Sequence, residues 1–228
     1  MKWFWNTGRT EQDLLARQRE LAHEDKSVTI WEMPLSEAEY FVIDIETSGF
    51  SATKDCVLSL AGGCMHGCDT TLDPLQYSIV RHDQVDMISD NIWQLTGLSP
   101  AQIQQGEEWR DVLFRALELS SDRVWIAHHI RHEMSFIQRH AKHFWKMHLR
   151  PIAIDTAIVA QALCKLPDAP TLDRVCEWLD VPVKNRHRAD ADIMMTAEVW
   201  KKEMAMCRSL GLETIGEVIE WSISHGWG

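Results

Sequence analysis

Short apolar runs occupy the first part of the chain, and apolar residues at helical spacing dominate the second part. Three of the short runs predict β-strands, and the polar breaks between them are short enough for neighbouring strands to pair. These runs are Phe41–Ile45, Val57–Ala61 and Gln76–Arg81. The pattern therefore predicts that the fold begins with a three-stranded meander.

After the meander, helical patterns alternate with two further strand-like runs. The predicted helices are Asp90–Leu98, Trp109–Leu119, Glu133–Phe144, Thr156–Leu163, Thr171–Leu179, Ala189–Cys207 and Leu212–Ser224, and the strands are Val124–Ala127 and Ile152–Ile154. This order of elements predicts the α/β class, with a mixed central β-sheet flanked by α-helices.

The N-terminal residues have a different pattern. Leucines at near-helical spacing within residues 11–24 predict an amphipathic helix, and a polar break follows it. We therefore predict an N-terminal helical extension over residues 1–38 and one further domain over residues 39–228.

Composition is typical of a globular protein, with 45% hydrophobic and 25% charged residues. The six cysteines show no disulfide-framework spacing, and no apolar run approaches the ~20 residues that span a bilayer. We expect free thiols, a cytoplasmic location and no membrane partner. The net charge of −11 argues against a broadly basic binding surface, so any contact with a polyanion must be local or carried by bound cations.

Two acidic residues interrupt the first strand. Asp44 and Glu46 are two positions apart, so they project from the same face of the strand. Carboxylates on an apolar strand are costly to bury without cations, and two together can hold a hard divalent metal. The alternative is that Asp44 caps a turn and Glu46 lies in solvent.

Two later helix starts add further candidates. Glu133 lies in the first turn of one helix, while His187 precedes another helix that carries Asp192 near its start. Each pattern alone is also typical of helix capping. Together with the strand, they supply four carboxylates and one base. Two-metal phosphoryl transfer requires such a set, because carboxylates hold two cations roughly 4 Å apart.

The order of these motifs resembles the histidine-containing branch of the DEDD 3′→5′ exonuclease superfamily, which includes the proofreading subunit of bacterial DNA polymerase III and ribonuclease T. The resemblance covers about residues 40–205 and implies a ribonuclease H-like fold. The matching residues are Asp44-Ile45-Glu46-Thr47 with Gly49 in the first motif, and His187, Ala189 and Asp192 in the third.

The second motif departs from the family pattern, His-Asn-x-x-Phe-Asp-x-x-Phe. After His128, the chain has His129 for Asn, His132 for Phe and Glu133 for the metal-binding Asp. Glutamate keeps the charge but adds a methylene, and a misplacement of ~1 Å can cost roughly a hundredfold in rate.

The resemblance implies a hydrolase that removes nucleotides from the 3′ ends of single-stranded DNA or RNA. It implies that Asp44, Glu46, Glu133 and Asp192 hold two divalent cations, Mg²⁺ or Mn²⁺, and that His187 is the general base. Contacts with the terminal nucleotide are expected from Thr47 and Ser48, and His129 and Phe136 are expected to line the substrate pocket, although Phe136 fits a core position equally well.

Two alternatives stay open. The altered second motif and the negative charge favour a catalytically weakened module that binds nucleic acid or nucleotides. The N-terminal extension instead favours docking to a larger complex, and a homodimer is equally compatible with the sequence.

Two clusters of basic residues could follow a phosphate backbone or form solvated helix faces. We favour the second cluster, because it surrounds His187. The first contains Arg131, Arg139, His140, Lys142, His143, Lys146, His148 and Arg150, and the second contains Lys184, Arg186 and Arg188.

Overall fold

A five-stranded mixed sheet forms the centre of the protein, with the strand order β3-β2-β1-β4-β5. β1 pairs antiparallel with β2 and parallel with β4, while β2 pairs antiparallel with β3 and β4 parallel with β5. The strands are β1 (Glu39–Thr47), β2 (Val57–His66), β3 (Leu75–Ile79), β4 (Val124–Ala127) and β5 (Ala153–Asp155). The predicted meander and the mixed sheet are both confirmed.

The computed structural model describes residues 12, 13, 16 and 26–226. The helix predicted for residues 11–24 therefore lies almost entirely outside the described residues. The described helices of more than one turn are α1 (Lys26–Trp31), α2 (Asp90–Thr96), α3 (Pro100–Gln104), α4 (Trp109–Leu119), α5 (Arg131–Trp145), α6 (Thr156–Cys164), α7 (Leu172–Trp178), α8 (Ala189–Ser209) and α9 (Ile215–Gly226).

The two faces of β1 pack against different helices, because side chains alternate along a strand. Phe41, Ile43 and Ile45 contribute to a core layer shared with α4 and α5. Tyr40 and Val42 contribute to a second layer shared with α8 and α9. Asp44 and Glu46 continue this second face, so the sheet directs both acids towards the start of α8.

Residues just before β1 also belong to the second layer. Leu35 and Ala38 are fully buried there. The Leu35 amide donates to the Glu213 carbonyl at 2.9 Å, and the Tyr40 hydroxyl donates to the Leu35 carbonyl at 2.7 Å. The domain boundary at residue 38 stays a prediction.

Among the described residues, no helix has both the length and the apolar character needed to cross a bilayer.

Candidate active site

Three carboxylates meet where the end of β1 faces the start of α8. Asp44 and Glu46 come from the strand, and Asp192 comes from the first turn of the helix. One potential ligand atom from each lies within 4.8 Å of the others. Asp192 is buried, whereas the two strand acids are half-buried. The predicted pairing of the first and third motifs in space is thus present.

The fourth predicted carboxylate, Glu133, lies in the first turn of α5. It is buried, and its Oε2 atom has no hydrogen-bond partner among the described residues. Glu133 is not part of the group of three, but it is close enough for its charge to raise the pKa of Asp44. The second motif therefore contributes to the electrostatics of the site from slightly farther away.

The carboxylates of this site favour protonation or a bound cation. Burial, followed by the charges of Glu46, Glu133 and Asp192, raises the pKa of Asp44 well above its usual value. Burial and then Asp192 raise the pKa of Glu46 to about 7. Buried oxygens without a partner normally have a ligand or ion to satisfy them. Because all these donors are hard oxygens, the set fits divalent cations such as Mg²⁺ or Mn²⁺.

Arg186 provides one positive charge beside these acids. Its guanidinium pairs with Asp192 Oδ2 and also with Asp173 Oδ1, the latter at 2.7 Å. The second basic cluster is further neutralised by Arg188, which pairs with Asp190 at 2.9 Å. Our preference for this cluster as a phosphate-binding surface loses support, because two of its three cations already have carboxylate partners.

His187 lies in the loop that enters α8. Its backbone adopts the left-handed region, with φ of 63°, and its amide donates to Asp192 Oδ2 at 3.2 Å. Burial raises the pKa of Asp192, while Arg186 and then His187 oppose that shift. The structure therefore brings the predicted base next to the acid cluster.

The second-motif loop between β4 and α5 is held by a carboxylate from the adjacent strand. His129 has a left-handed backbone with φ of 64°, and its amide donates to Asp155 Oδ1 at 2.9 Å. The same oxygen accepts from the Ala157 amide at 3.0 Å and caps α6. Asp155 thus fixes the loop that precedes Glu133. The bond from His129 to Asp155 could not be predicted from the sequence.

His128 is held inside this loop as a neutral ring. Burial, and then the neighbouring His129, lower the pKa of His128 to about 3. Its two ring nitrogens lie 2.9 Å from Thr156 Oγ1 and 2.9 Å from the Pro170 carbonyl. His128 therefore has a structural position, whereas the His129 side chain is exposed to solvent.

The residues expected to contact substrate occupy two kinds of position. Thr47 and Ser48 lie at the end of β1, and the Thr47 hydroxyl is 3.3 Å from His132 Nε2. Phe136, in contrast, is fully buried in the core layer beneath the His132 ring. Phe136 therefore takes the core position that the sequence also allowed and does not line the pocket, and the half-buried ring of His132 lies between Phe136 and the end of β1.

The family model RNase_T, described as an exonuclease, matches residues 41–200. The chain belongs to this exonuclease family. The resemblance to the DEDD 3′→5′ exonuclease superfamily is confirmed.

Two of the curated relatives of this exonuclease-family chain are much longer proteins. DNA polymerase III PolC-type of Caldanaerobacter subterraneus subsp. tengcongensis is 26% identical over 182 residues, which are 80% of this chain and 13% of that protein. The 3′-5′ exonuclease DinG of Staphylococcus haemolyticus is 23% identical over 185 residues, which are 81% of this chain and 20% of that protein. The chain therefore spans only a small part of the length of these relatives.

Solved structures share the fold at low sequence identity. E. coli exonuclease I in complex with a dT13 oligonucleotide has a TM-score of 0.65 at 14% identity, over 77% of this chain and 43% of that chain. Exonuclease X in complex with 5′ overhanging duplex DNA has a TM-score of 0.61 at 16% identity, over 80% of this chain and 99% of that chain. The predicted ribonuclease H-like fold is confirmed.

The ring of Phe50 was not among the residues of this exonuclease-family chain that the sequence singled out. Phe50 follows the first motif and is 93% exposed, with its ring 5.8 Å from that of His132. His132 in turn lies against Thr47. The pair offers a ring surface beside the end of β1, with Phe50 exposed and His132 half-buried, and the position of Phe50 directly after Gly49 of the first motif was its one sequence signal.

A cleft of about 640 Å³ adjoins the second-motif loop on the side away from β1. His129, Arg131 and His132 line it near the loop, and Ile158, Ile219 and Ile223 line it on α6 and α9. His132 therefore contacts both the cleft and the end of β1.

Proposed function

We propose that the chain is a metal-dependent 3′→5′ exonuclease that hydrolyses phosphodiester bonds at the 3′ ends of single-stranded DNA or RNA. The observation that carries the proposal is the group formed by Asp44, Glu46 and Asp192, whose ligand atoms lie within 4.8 Å of one another. The names of the DinG and PolC-type relatives support it, as do the DNA complexes of the structural neighbours.

In this proposal, Asp44, Glu46, Asp192 and the neighbouring Glu133 hold two divalent cations. When bound, such cations polarise the scissile phosphate and stabilise the leaving oxygen. Their positive charge also offsets the burial and the neighbouring negative charges that raise the pKa values of Asp44 and Glu46.

His187 acts in this proposal as the general base that takes a proton from the attacking water. Support comes from its loop position, which is fixed by the hydrogen bond from its amide to Asp192. Thr47 and Ser48 contact the terminal nucleotide at the end of β1, and His129 lines the cleft beside the second-motif loop. His132 and Phe50 add ring surfaces against which a nucleobase can stack.

The test is degradation of 3′-end-labelled single-stranded DNA and RNA in Mg²⁺ or Mn²⁺. Asp44→Asn removes one ligand charge at constant size. It should lower the rate by at least about a hundredfold, since a displacement of a reacting group by only about 1 Å can already cost that much. Asp86→Asn is the matched control, because it removes an exposed carboxylate outside the site and should leave the rate unchanged. Wild-type protein that releases no 3′ nucleotide from either polymer would refute the proposal.

The second candidate is a catalytically weakened module that binds nucleic acid or nucleotides. The observation that favours it is the position of Glu133 outside the group of three carboxylates. Glu133→Asp restores the usual residue of the family and separates the candidates. Activity that appears only in Glu133→Asp would favour the weakened module, whereas an active wild type favours the exonuclease.

A cytoplasmic location is part of the same proposal and is supported by the free state of the six cysteines. Assembly as a homodimer or with a larger complex stays a prediction, which the elution volume of the full chain on size exclusion would test.

A further inference from the structure

A long stretch of the chain around α5 carries basic residues without any acidic ones. Residues 134–154 contain no Asp or Glu, although the whole chain has 34 acidic and 23 basic residues. Five exposed residues of this stretch, together with the exposed Arg131 at the start of α5, form what we call the α5 basic surface: Arg131, Arg139, Lys142, Lys146, His148 and Arg150.

The first half of this surface is one face of α5. Arg131, Arg139 and Lys142 are exposed, and their spacing places them within a quarter-turn of one another around the helix axis. The opposite face carries Phe136 and Ile137, which are fully buried in the core layer. The cations therefore share a single solvent-facing row that extends about 16 Å along the helix.

The second half comes from the segment that returns from α5 to β5. Lys146, His148 and Arg150 are exposed, whereas the intervening Met147 and Leu149 are buried. This alternation is typical of extended chain and puts the three basic residues on one side.

Gln138 fixes the return segment against α5. Its Oε1 atom accepts from the Leu149 amide at 2.9 Å, and its Nε2 atom lies 3.0 Å from His148 Nδ1. The two rows of cations are therefore neighbours on one surface.

Carboxylates do not neutralise this surface within the described part of the chain. The ion pairs of the described residues involve cations outside this surface, such as Arg186 with Asp192 and Arg188 with Asp190. Arg139 donates instead to the Ala52 carbonyl in the loop after β1, which leaves its charge uncompensated. A concentrated positive surface in a protein of net charge −11 is suited to a local polyanion contact.

The surface begins at the candidate active site. Arg131 is the first residue of α5 and immediately precedes His132 and Glu133. His132 contacts Thr47, and Glu133 faces the acid cluster. From there the cations extend away from the site. A polymer whose end lies at Asp44 can therefore continue directly over Arg139 and Lys142.

We propose that the α5 basic surface binds the phosphodiester backbone of a polynucleotide strand upstream of its 3′ end. The inference rests on the proposed function and assigns to it a substrate class, namely strands long enough to extend along α5. Phosphate contacts of this kind are independent of base sequence and weaken as salt is added.

The test compares two triple variants of the full chain that lose the same number of positive charges. The first is Lys142→Gln, Lys146→Gln, Arg150→Gln, which leaves every residue of the site unchanged. The control is Lys201→Gln, Lys165→Gln, Arg208→Gln, whose targets are exposed cations on α8 and at the end of α6. Lys165 in the control variant corresponds to Lys146 in the first variant, because each follows the end of a helix and has a left-handed backbone.

Binding is measured by anisotropy in EDTA, which prevents metal-dependent turnover, with labelled oligothymidine and oligouridine of about twenty nucleotides. The first variant should bind severalfold more weakly, and its plot of log Kd against log salt should be less steep by about 2, since each lost phosphate contact contributes about 0.7. The control variant should behave like the wild type. With Mn²⁺, hydrolysis of a trinucleotide should be the same in all three proteins, whereas KM for the long strand should rise only in the first variant.

Unchanged binding by the first variant would overturn the inference, and so would equal weakening by both variants. Tight binding to phosphatidylserine vesicles without binding to either oligonucleotide would also overturn it. Wild-type protein that binds the long strands through this surface but hydrolyses nothing would refute the exonuclease proposal while leaving the binding surface supported.

Discussion

The least expected single residue is Glu203, a carboxylate inside the core rather than at the active site. It lies on α8 with no exposed surface, and neither carboxylate oxygen has a hydrogen-bond partner among the described residues. Burial, and then the charge of Asp155, raise the pKa of Glu203 well above its usual value. The folded protein therefore keeps this proton over a pH range in which the unfolded chain has lost it.

Glu203→Gln should stabilise the protein at alkaline pH and have little effect at acid pH. Because the folded pKa is raised, wild-type stability falls as pH rises above the unfolded value of about 4.3 and continues to fall up to the folded pKa. The neutral amide removes this loss, so its advantage should grow by about 1.4 kcal/mol per pH unit within that window. Urea unfolding in EDTA at pH 5 and pH 8 measures the difference.

Glu37→Gln is the matched control for this experiment, because Glu37 is exposed. A stability gain in Glu203→Gln that is the same at both pH values would contradict the buried-proton explanation.

At the scale of elements, the alternation along β1 was sufficient to predict the acid pair and the face from which it projects. The buried run Phe41–Ile45 proved to be the middle of the strand, and the meander followed from the short breaks after it. The loops were beyond the pattern, because His129 and His187 adopt left-handed backbones that are unusual outside glycine. The residues in these conformations donate the amide bonds from His129 to Asp155 and from His187 to Asp192.

The helix α5 shows a second limit of prediction from the sequence pattern. Its spacing predicted a helix with Glu133 in the first turn, but not which neighbouring ring faces the site. That choice depends on how the helix is rotated against the sheet. The structure places the half-buried His132 against Thr47 and puts Phe136 in the core.

Asp155→Ala should weaken both the fold and the proposed activity, because one carboxylate supports two elements. Loss of the cap on α6 should cost about 1–2 kcal/mol. Loss of the bond to the His129 amide should also let the second-motif loop move, which lowers kcat/KM through Glu133. Thermal unfolding and exonuclease assays on the same preparations measure the two effects.

Asp155→Asn is the informative companion, since its side-chain oxygen can still accept both hydrogen bonds. It should retain most of the stability and more activity than Asp155→Ala. If Asp155→Ala were as active as wild type, the loop would not depend on this bond.

At the scale of the whole molecule, the segment before β1 is joined to the far end of the chain. The Leu35 amide bonds to the Glu213 carbonyl, and the Ile215 amide bonds to the Met33 carbonyl. The side chain of Leu35 is also fully buried in the layer between the sheet and the helices α8 and α9. Residues near both ends of the described chain therefore stabilise each other behind the sheet.

Deletion of residues 1–38 should destabilise the protein strongly, whereas deletion of residues 1–25 is the matched reference. The difference isolates the segment from α1 to Ala38, and loss of a buried leucine alone typically costs about 2–5 kcal/mol. The free energy of unfolding of the shorter protein should therefore be lower by at least that amount, as measured by urea unfolding. Equal stability of the two deletion variants would instead favour the predicted boundary at residue 38.

The ion pair between Arg186 and Asp192 gives the acid cluster a positive charge that does not depend on divalent ions. A guanidinium group is tethered to the chain and cannot be washed away, so Asp192 always retains one positive neighbour. Proteins whose folding depends on a bound metal unfold when that metal is chelated. In this protein, removal of divalent cations would stop the proposed reaction without unfolding the chain. Adding the cations back would restore the reaction without a refolding step. The concentration of free divalent cations would then control the rate of the proposed hydrolysis reversibly.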